Sequence, residues 1–283
     1  MGLINYNIEK YSPQQLVAIP LVLLIISLVM LALNMAATGM PITPGIDFSG
    51  GIAVTIITTD SREQLQSTFA GYPLNDIGDM NNGKFLKFGT MDDPKYQSLS
   101  QLISQKYPDA KIDQIGESFG KSLQSQAVIA IIFSFIGMAI VVFLSFKTFV
   151  PSIAVVLSAF ADMVMTAAMM NVVGIPLSLG TTAALLMLIG YSVDSDILLT
   201  NRVLKRQGKL NDKLMGAFHT GIIMTSTTLA AATALFVVSW FGSVQILMEI
   251  SAVLLIGRAA DILNPWLTNV GILKWYVLKG GGK

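Results

Sequence analysis

The chain has 283 residues, 53% of them hydrophobic and only 12% charged, with a formal net charge of +1 and no cysteine. So small a charged share, about half that of soluble domains, excludes an ordinary soluble globular protein and points to a polytopic membrane protein. The near-neutral charge gives no footprint for nucleic acid, and the lack of cysteine excludes disulfides and thiolate metal sites.

The first apolar run, residues 16–34, exceeds a signal-peptide core and is followed by Thr38-Gly39-Met40-Pro41 rather than a cleavage site. It reads as a retained anchor. Residues 45–121 alone have soluble-domain composition, and their patterns follow in a legible order. Gly51–Thr59 is β-branched, and Ser61-Arg62-Glu63-Gln64 carries a helix-capping signal. Tyr72–Met80, the turn Asn81-Asn82-Gly83 and Lys84–Phe88 make a hairpin. Pro94–Tyr107 repeats apolar residues at helical spacing, and Ala110–Gly116 alternates as a last strand. The sum is β-α-β-β-α-β, an α+β ferredoxin-like unit that needs no cofactor and has no cluster of metal-ligand type. Its expected work is binding, with the glycine-rich Gly45–Gly51 segment as a hinge to the anchor.

Five further apolar runs follow at 124–146, 150–172, 177–200, 220–241 and 245–273, which makes six transmembrane helices in all. The last is long enough to tilt or to end in an interfacial segment. Lys147 separates spans two and three, and Arg202, Lys205, Arg206, Lys209 and Lys213 separate spans four and five. Lys274, Lys279 and Lys283 follow span six. All fall on one side, hence cytoplasmic by the positive-inside rule, whereas Asn171–Pro176 and Trp240–Val244 carry no Lys or Arg and lie outside. The expected layout is a cytoplasmic start with span one over 1–34 and an external domain over 35–121. Spans two to six follow over 122–275 around a 201–219 cytoplasmic loop, with a cytoplasmic tail at 276–283. Both termini are then inside a multi-pass protein of the cell membrane, in contact with its lipids.

The fourth run places carboxylates in the bilayer, in Gly190-Tyr191-Ser192-Val193-Asp194-Ser195-Asp196 and on to Arg202. A charged side chain there costs roughly 2.5–3.5 kcal/mol on insertion scales, so a buried partner or an ion to handle is expected. Asp194 and Asp196 diverge by about 200° on a helix and serve different surfaces. Ser192, Asp196 and Thr200 share a polar stripe, while Gly190 and Tyr191 share the side of Asp194, where a glycine lets another helix approach. Asp162 lies in the middle of the third span, next to the fourth through a short link. Arg258 and Asp261, three apart on the last span, either pair with each other or leave Arg258 to neutralise a fourth-span carboxylate. Asp194 is expected to be buried and central, with Asp162 and Arg258 as partners. His219 reads as a solvated residue near the inner end of span five and Glu249 as a headgroup contact near the outer end of span six. The fifteen methionines are scattered and read as packing.

Taken together, these residues resemble the archaeal form of SecF, in the SecD/SecF family of protein-export membrane proteins within the resistance-nodulation-division (RND) superfamily. Gly45-Ile46-Asp47-Phe48-Ser49-Gly50-Gly51 is similar to the family's signature after the first span. The Gly190-Tyr191-Ser192 run closed by Arg202, and Thr225-Ser226-Thr227-Thr228-Leu229, resemble its segments in spans four and five. The resemblance implies a six-helix half assembling with SecD, acting beside the SecY translocon on translocating polypeptide, with proton flow as energy source. It also implies departures. The acidic position of bacterial span four is Ser195 here, Asp194 falls where SecD has its aspartate, and the span-three His-Asp pair is Ala161-Asp162. Where bacterial relatives place an arginine in span five, this chain has Gly221 with His219 nearby.

Three other readings compete. An RND-type small-molecule exporter has two six-helix halves and larger external domains. An intramembrane aspartyl protease using Asp162 and Asp194 would need two carboxyls sharing a proton, without that family's Gly-x-Gly-Asp segment, so no enzyme is expected. A non-conducting structural subunit of the translocon needs only the hydrogen bonds.

Overall fold

The computed structural model describes residues 10–280. Helix α1 (Pro13–Thr38) opens with Ser12 and Gln15 in a reciprocal capping box and closes at Gly39, whose φ of 80° only glycine adopts freely. A short helix α2 (Ile46–Ser49) occupies the segment expected to be a hinge. Then come β1 (Gly51–Ile56), α3 (Arg62–Thr68), β2 (Leu74–Met80), β3 (Gly83–Phe88), α4 (Asp93–Lys106) and β4 (Lys111–Ile115). The strands form one antiparallel sheet in the order β2-β3-β1-β4, with Val54 of β1 opposite Leu86 on one side and Ile112 on the other. Alternation puts Ile52, Val54 and Ile56 on one face, where they pack with Leu86 and Phe88, with Leu65 and Phe69, and with Leu99 and Ile103 of α4. Each such fully buried side chain contributes roughly 1.5–3 kcal/mol, so this cluster holds the sheet and both helices as a unit.

One polar bond closes that core. The Tyr107 hydroxyl donates to Asp60 Oδ2 at 2.6 Å. Accepting it is the main reason the Asp60 carboxyl is held below the usual carboxylate range. Burial, then the same bond, pushes the Tyr107 phenol up. A depressed native value means the stabilisation is present above the unfolded Asp range, about 3.9, and is lost as pH falls through the native value. Tyr107→Phe is therefore expected to weaken amide protection in β1 and α4 near neutral pH. The difference from wild type should shrink on acidification into the Asp60 range, read by hydrogen exchange at matched pH. A pH-independent difference would mean that the hydroxyl acts through packing alone.

After the sheet come α5 (Glu117–Phe146), α6 (Phe149–Val173), α7 (Leu179–Lys205) and α8 (Leu210–Phe241). One further helical run consists of α9 (Gln245–Leu263), a π-helical turn (Asn264–Asn269) and α10 (Val270–Leu278). Among the described residues, five helices (α1 and α5 to α8) are long and apolar enough to cross a membrane. In their most apolar windows α6 is 67% buried and α7 is 56% buried, against 22%, 11% and 17% for α1, α5 and α8, so α6 and α7 form the centre. Helix α8 starts at Leu210 rather than near residue 220, and the expected 201–219 loop shrinks to residues 206–209. The early turns of α8 bury Leu214 and Ala217 against Trp266, Val270 and Leu273, which outweighs the polarity of the segment.

The succession of helices puts the sheet, the α6–α7 link and the α8–α9 link at one end of the bundle, where Met80 and Asn81 of the β2–β3 turn meet Trp240, Ser243 and Gln245. Lys147, Arg206, Lys209 and Lys279 lie at the other end.

Candidate functional site

The polar residues of the central helices converge because α9 crosses α7 closely. A Cβ on Gly257 would sit 2.6 Å from Leu188 Cδ1, so any larger residue there would have to displace the buried Leu188 side chain. The next residue, Arg258, is thereby held against α7. Its Nη1 donates to the Tyr191 carbonyl at 3.2 Å, and its guanidinium lies over the Tyr191 ring, 5.0 Å from the centroid. The same nitrogen pairs with Asp261 Oδ2 at 2.6 Å, so of the two expected arrangements the structure has the intrahelical ion pair. Ser195 of α7 also donates to Asp261, at 3.4 Å.

Two more carboxylates are fully buried beside this pair. Asp162 of α6 accepts from the Ser192 hydroxyl and, at 2.7 Å, from Asn264 Nδ2. Asp196 accepts at 2.7 Å from Asn269 Nδ2, which also reaches Thr200 at 3.4 Å. Asn264 is held in turn by the Thr268 hydroxyl at 3.2 Å. The stripe Ser192, Asp196, Thr200 thus faces inward as one buried polar row.

Asn264 and Asn269 were not singled out in the sequence. They are five positions apart, which on a regular helix means different faces. Pro265 supplies no N–H, and the wider π turn, bonded i to i+5, brings both amides onto α6 and α7. An Asn-Pro pair inside an apolar run, with a second Asn five residues on, is the signal that was there to be read.

Asp194 departs from expectation. It is exposed on the outer side of α7 together with Gly190 and Tyr191, and has no hydrogen bond or ion pair among the described residues. Apart from its chain neighbours and the backbone of its own helix, no described atom lies within 4 Å of where a Cβ on Gly190 would stand. The expected partnership of a buried Asp194 with Asp162 and Arg258 is therefore replaced by Asp162 with Ser192 and Asn264, and Arg258 with Asp261. The reason is the 200° divergence itself: the helix face that buries Asp196 turns Asp194 out. Asp162 and Asp194 do not share a proton, as an aspartyl protease would require.

Other sequence candidates take structural places. Arg202 Nη2 donates to Thr220 at 2.7 Å, tying the end of α7 to α8. The ring of Trp266 fills the space beside Gly221, where any side chain would collide. His219 is exposed, and Glu249 accepts from Gln245 at 2.8 Å.

Among the described residues the buried group holds three carboxylates against one guanidinium, and Asp196 Oδ2, Asp261 Oδ1, Arg258 Nε and Asn269 Oδ1 make no hydrogen bond within the chain. Buried polar atoms are costly unless they are paired, so this cluster is the most electrostatically demanding place in the bundle.

The profile for the C-terminal part of the protein-export membrane proteins SecD and SecF matches residues 95–279. Over 99% of its length the chain is 56% identical to the protein-export membrane protein SecF of Methanolacinia petrolearia, all of which is covered. With SecF of Haloferax volcanii it shares 39% identity, over 96% of this chain and 95% of that one. Among solved structures, SecDF, a translocon-associated membrane protein from Thermus, superposes on 94% of the chain with a TM-score of 0.73 at 21% identity. The chain spans 38% of that protein's length.

Proposed function

The chain belongs to the SecD/SecF family of protein-export membrane proteins, and we propose that it works as the SecF half of a complex with SecD, beside the SecY translocon, helping translocating polypeptide outward. The observation that carries this reading is the outer face of α7. A carboxylate on an apolar span cannot be left to lipid, so Asp194 and the open surface at Gly190 call for a partner helix with a donor or cation. SecD is that partner, and the remaining length of the SecDF relative is consistent with it.

In this reading the α9–π–α10 run is the sixth crossing helix of an RND-type half. The β-α-β-β-α-β unit is an external ferredoxin-like domain, and both termini are cytoplasmic. The sheet stands at the bundle end whose links lack Lys and Arg, which supports that orientation. Single cysteines at Thr90 and Gly208 are expected to react with an impermeant thiol reagent from outside and from inside respectively. The reverse labelling would overturn the orientation and the export role with it.

Ion coupling is assigned to the buried group of Asp162, Asp196, Arg258 and Asp261, with Asp194 at the SecD contact. The excess of carboxylates and their unpartnered oxygens support this assignment. The domain binds emerging chain through its surfaces, and the cleft of about 310 Å³ between the sheet and the outer end of α6 is part of them. If export proceeds at wild-type rate with every one of these carboxylates neutralised, the chain is a structural subunit and the coupling role falls.

A further inference from the structure

The signature turn before β1 grips the outer end of α7. Leu179 N donates to Asp47 Oδ2 at 2.8 Å across 132 positions of sequence. Around it, Gly45 N donates to Leu177 O and Leu177 N to Thr43 O, both at 2.8 Å, a parallel bridge between Pro44 and Leu177. Asn171 adds two more ties, accepting from Thr43 N at 3.1 Å and donating to Pro41 O at 2.8 Å. Phe48, 1% exposed, is buried among Met170, Ile175, Leu177 and Leu185.

Helix α7 does not need Asp47 in order to form. Ser178 already caps it, accepting from Thr181 N at 3.1 Å in a complete capping box. What Asp47 adds is a charge-assisted tie to the first free N–H, favoured by the helix dipole. On the other side there is no slack. Gly50 and Gly51, at φ 74° and 131°, lead directly into β1, the strand held between β3 and β4. A Cβ on Gly50 would stand 2.8 Å from Glu117 Cα, and one on Gly51 would strike the Phe88 carbonyl. The expected hinge is a packed corner.

We infer that Asp47 is a positioning residue for export: it makes the external sheet and α7 one mechanical body, so that tilting of the domain is delivered to the helix that carries Ser192, Asp196 and Thr200. The inference rests on the proposed export role only for its activity readout, and the distance readout stands without that role.

The test uses the full chain in complex with SecD. Spin labels at Thr90 and Val173 report the distance between domain and bundle, and export is measured in vesicles. Asp47→Asn, which keeps an accepting oxygen at the cap, should retain a narrow distance distribution and most of the export. Asp47→Ala should broaden the distribution and lower export several-fold at unchanged insertion. Cysteines at Thr43 and Asn171 joined by a short thiol cross-linker should leave the wild-type chain active and restore both readouts to Asp47→Ala. An unbroadened distribution in Asp47→Ala, or a cross-link that stops export in the wild-type chain, would overturn the inference. A broadened distribution with normal export would show that the tie exists but transmits nothing, which also overturns it. If Asp47→Ala fails to insert, the cross-linked wild-type chain and Asp47→Asn still decide: loss of export in the first, or of the narrow distribution in the second, rejects it.

Discussion

Arg258→Met is expected to be the most damaging single substitution in the bundle. Arg258 is 5% exposed, and its guanidinium is paired at 2.6 Å with a fully buried Asp261, stacked on Tyr191 and bonded to its carbonyl. Removing one member of a buried pair leaves the other charged and uncompensated, which costs about 3–5 kcal/mol. Replacing both with apolar side chains of similar size is often close to neutral. Arg258→Met should therefore lower the thermal midpoint of the purified chain and its yield, whereas Arg258→Met with Asp261→Leu should regain most of the loss. The comparison is made by unfolding scans in one detergent. Equal stability of the single variant and wild type would mean that Asp261 is satisfied without Arg258.

The second large effect separates the two faces of α7. Asp194→Leu should leave the isolated chain as stable as wild type, because no described residue bonds to Asp194. It should weaken association with SecD by about 2–5 kcal/mol, the usual cost of truncating one partner of a desolvated polar pair. Asp196→Asn should do the opposite. Its amide oxygen still accepts from Asn269 while the charge is removed. Assembly is expected to persist, with most of the gradient-dependent part of export lost. Co-purification of SecD and export in vesicles with and without an ion gradient give the two readings. Gradient-dependent export at the wild-type level in Asp196→Asn would remove that residue from the coupling route, and undiminished SecD recovery with Asp194→Leu would remove Asp194 from the contact.

Much of the architecture was legible in the chain because it depends on local chemistry. Apolar runs of spanning length, the capping box at Ser61 and the β-branched run that becomes β1 each fix an element from a few consecutive residues. The 200° divergence of Asp194 and Asp196 was equally certain, since it follows from the helix repeat alone. Which of the two turns inward was not, because that depends on what packs against α7. The tertiary structure decides it through three distant features: Gly257 admits α9, Pro265 opens the π turn, and Asn269 then reaches Asp196 across 73 positions. The corner at Gly50 and Gly51 has the same origin. Glycines in sequence signal freedom, but here Glu117 and Phe88 press on the backbone and leave no room for a side chain. Local period and composition determine the elements of this protein; close backbone approach between remote segments determines which polar groups meet.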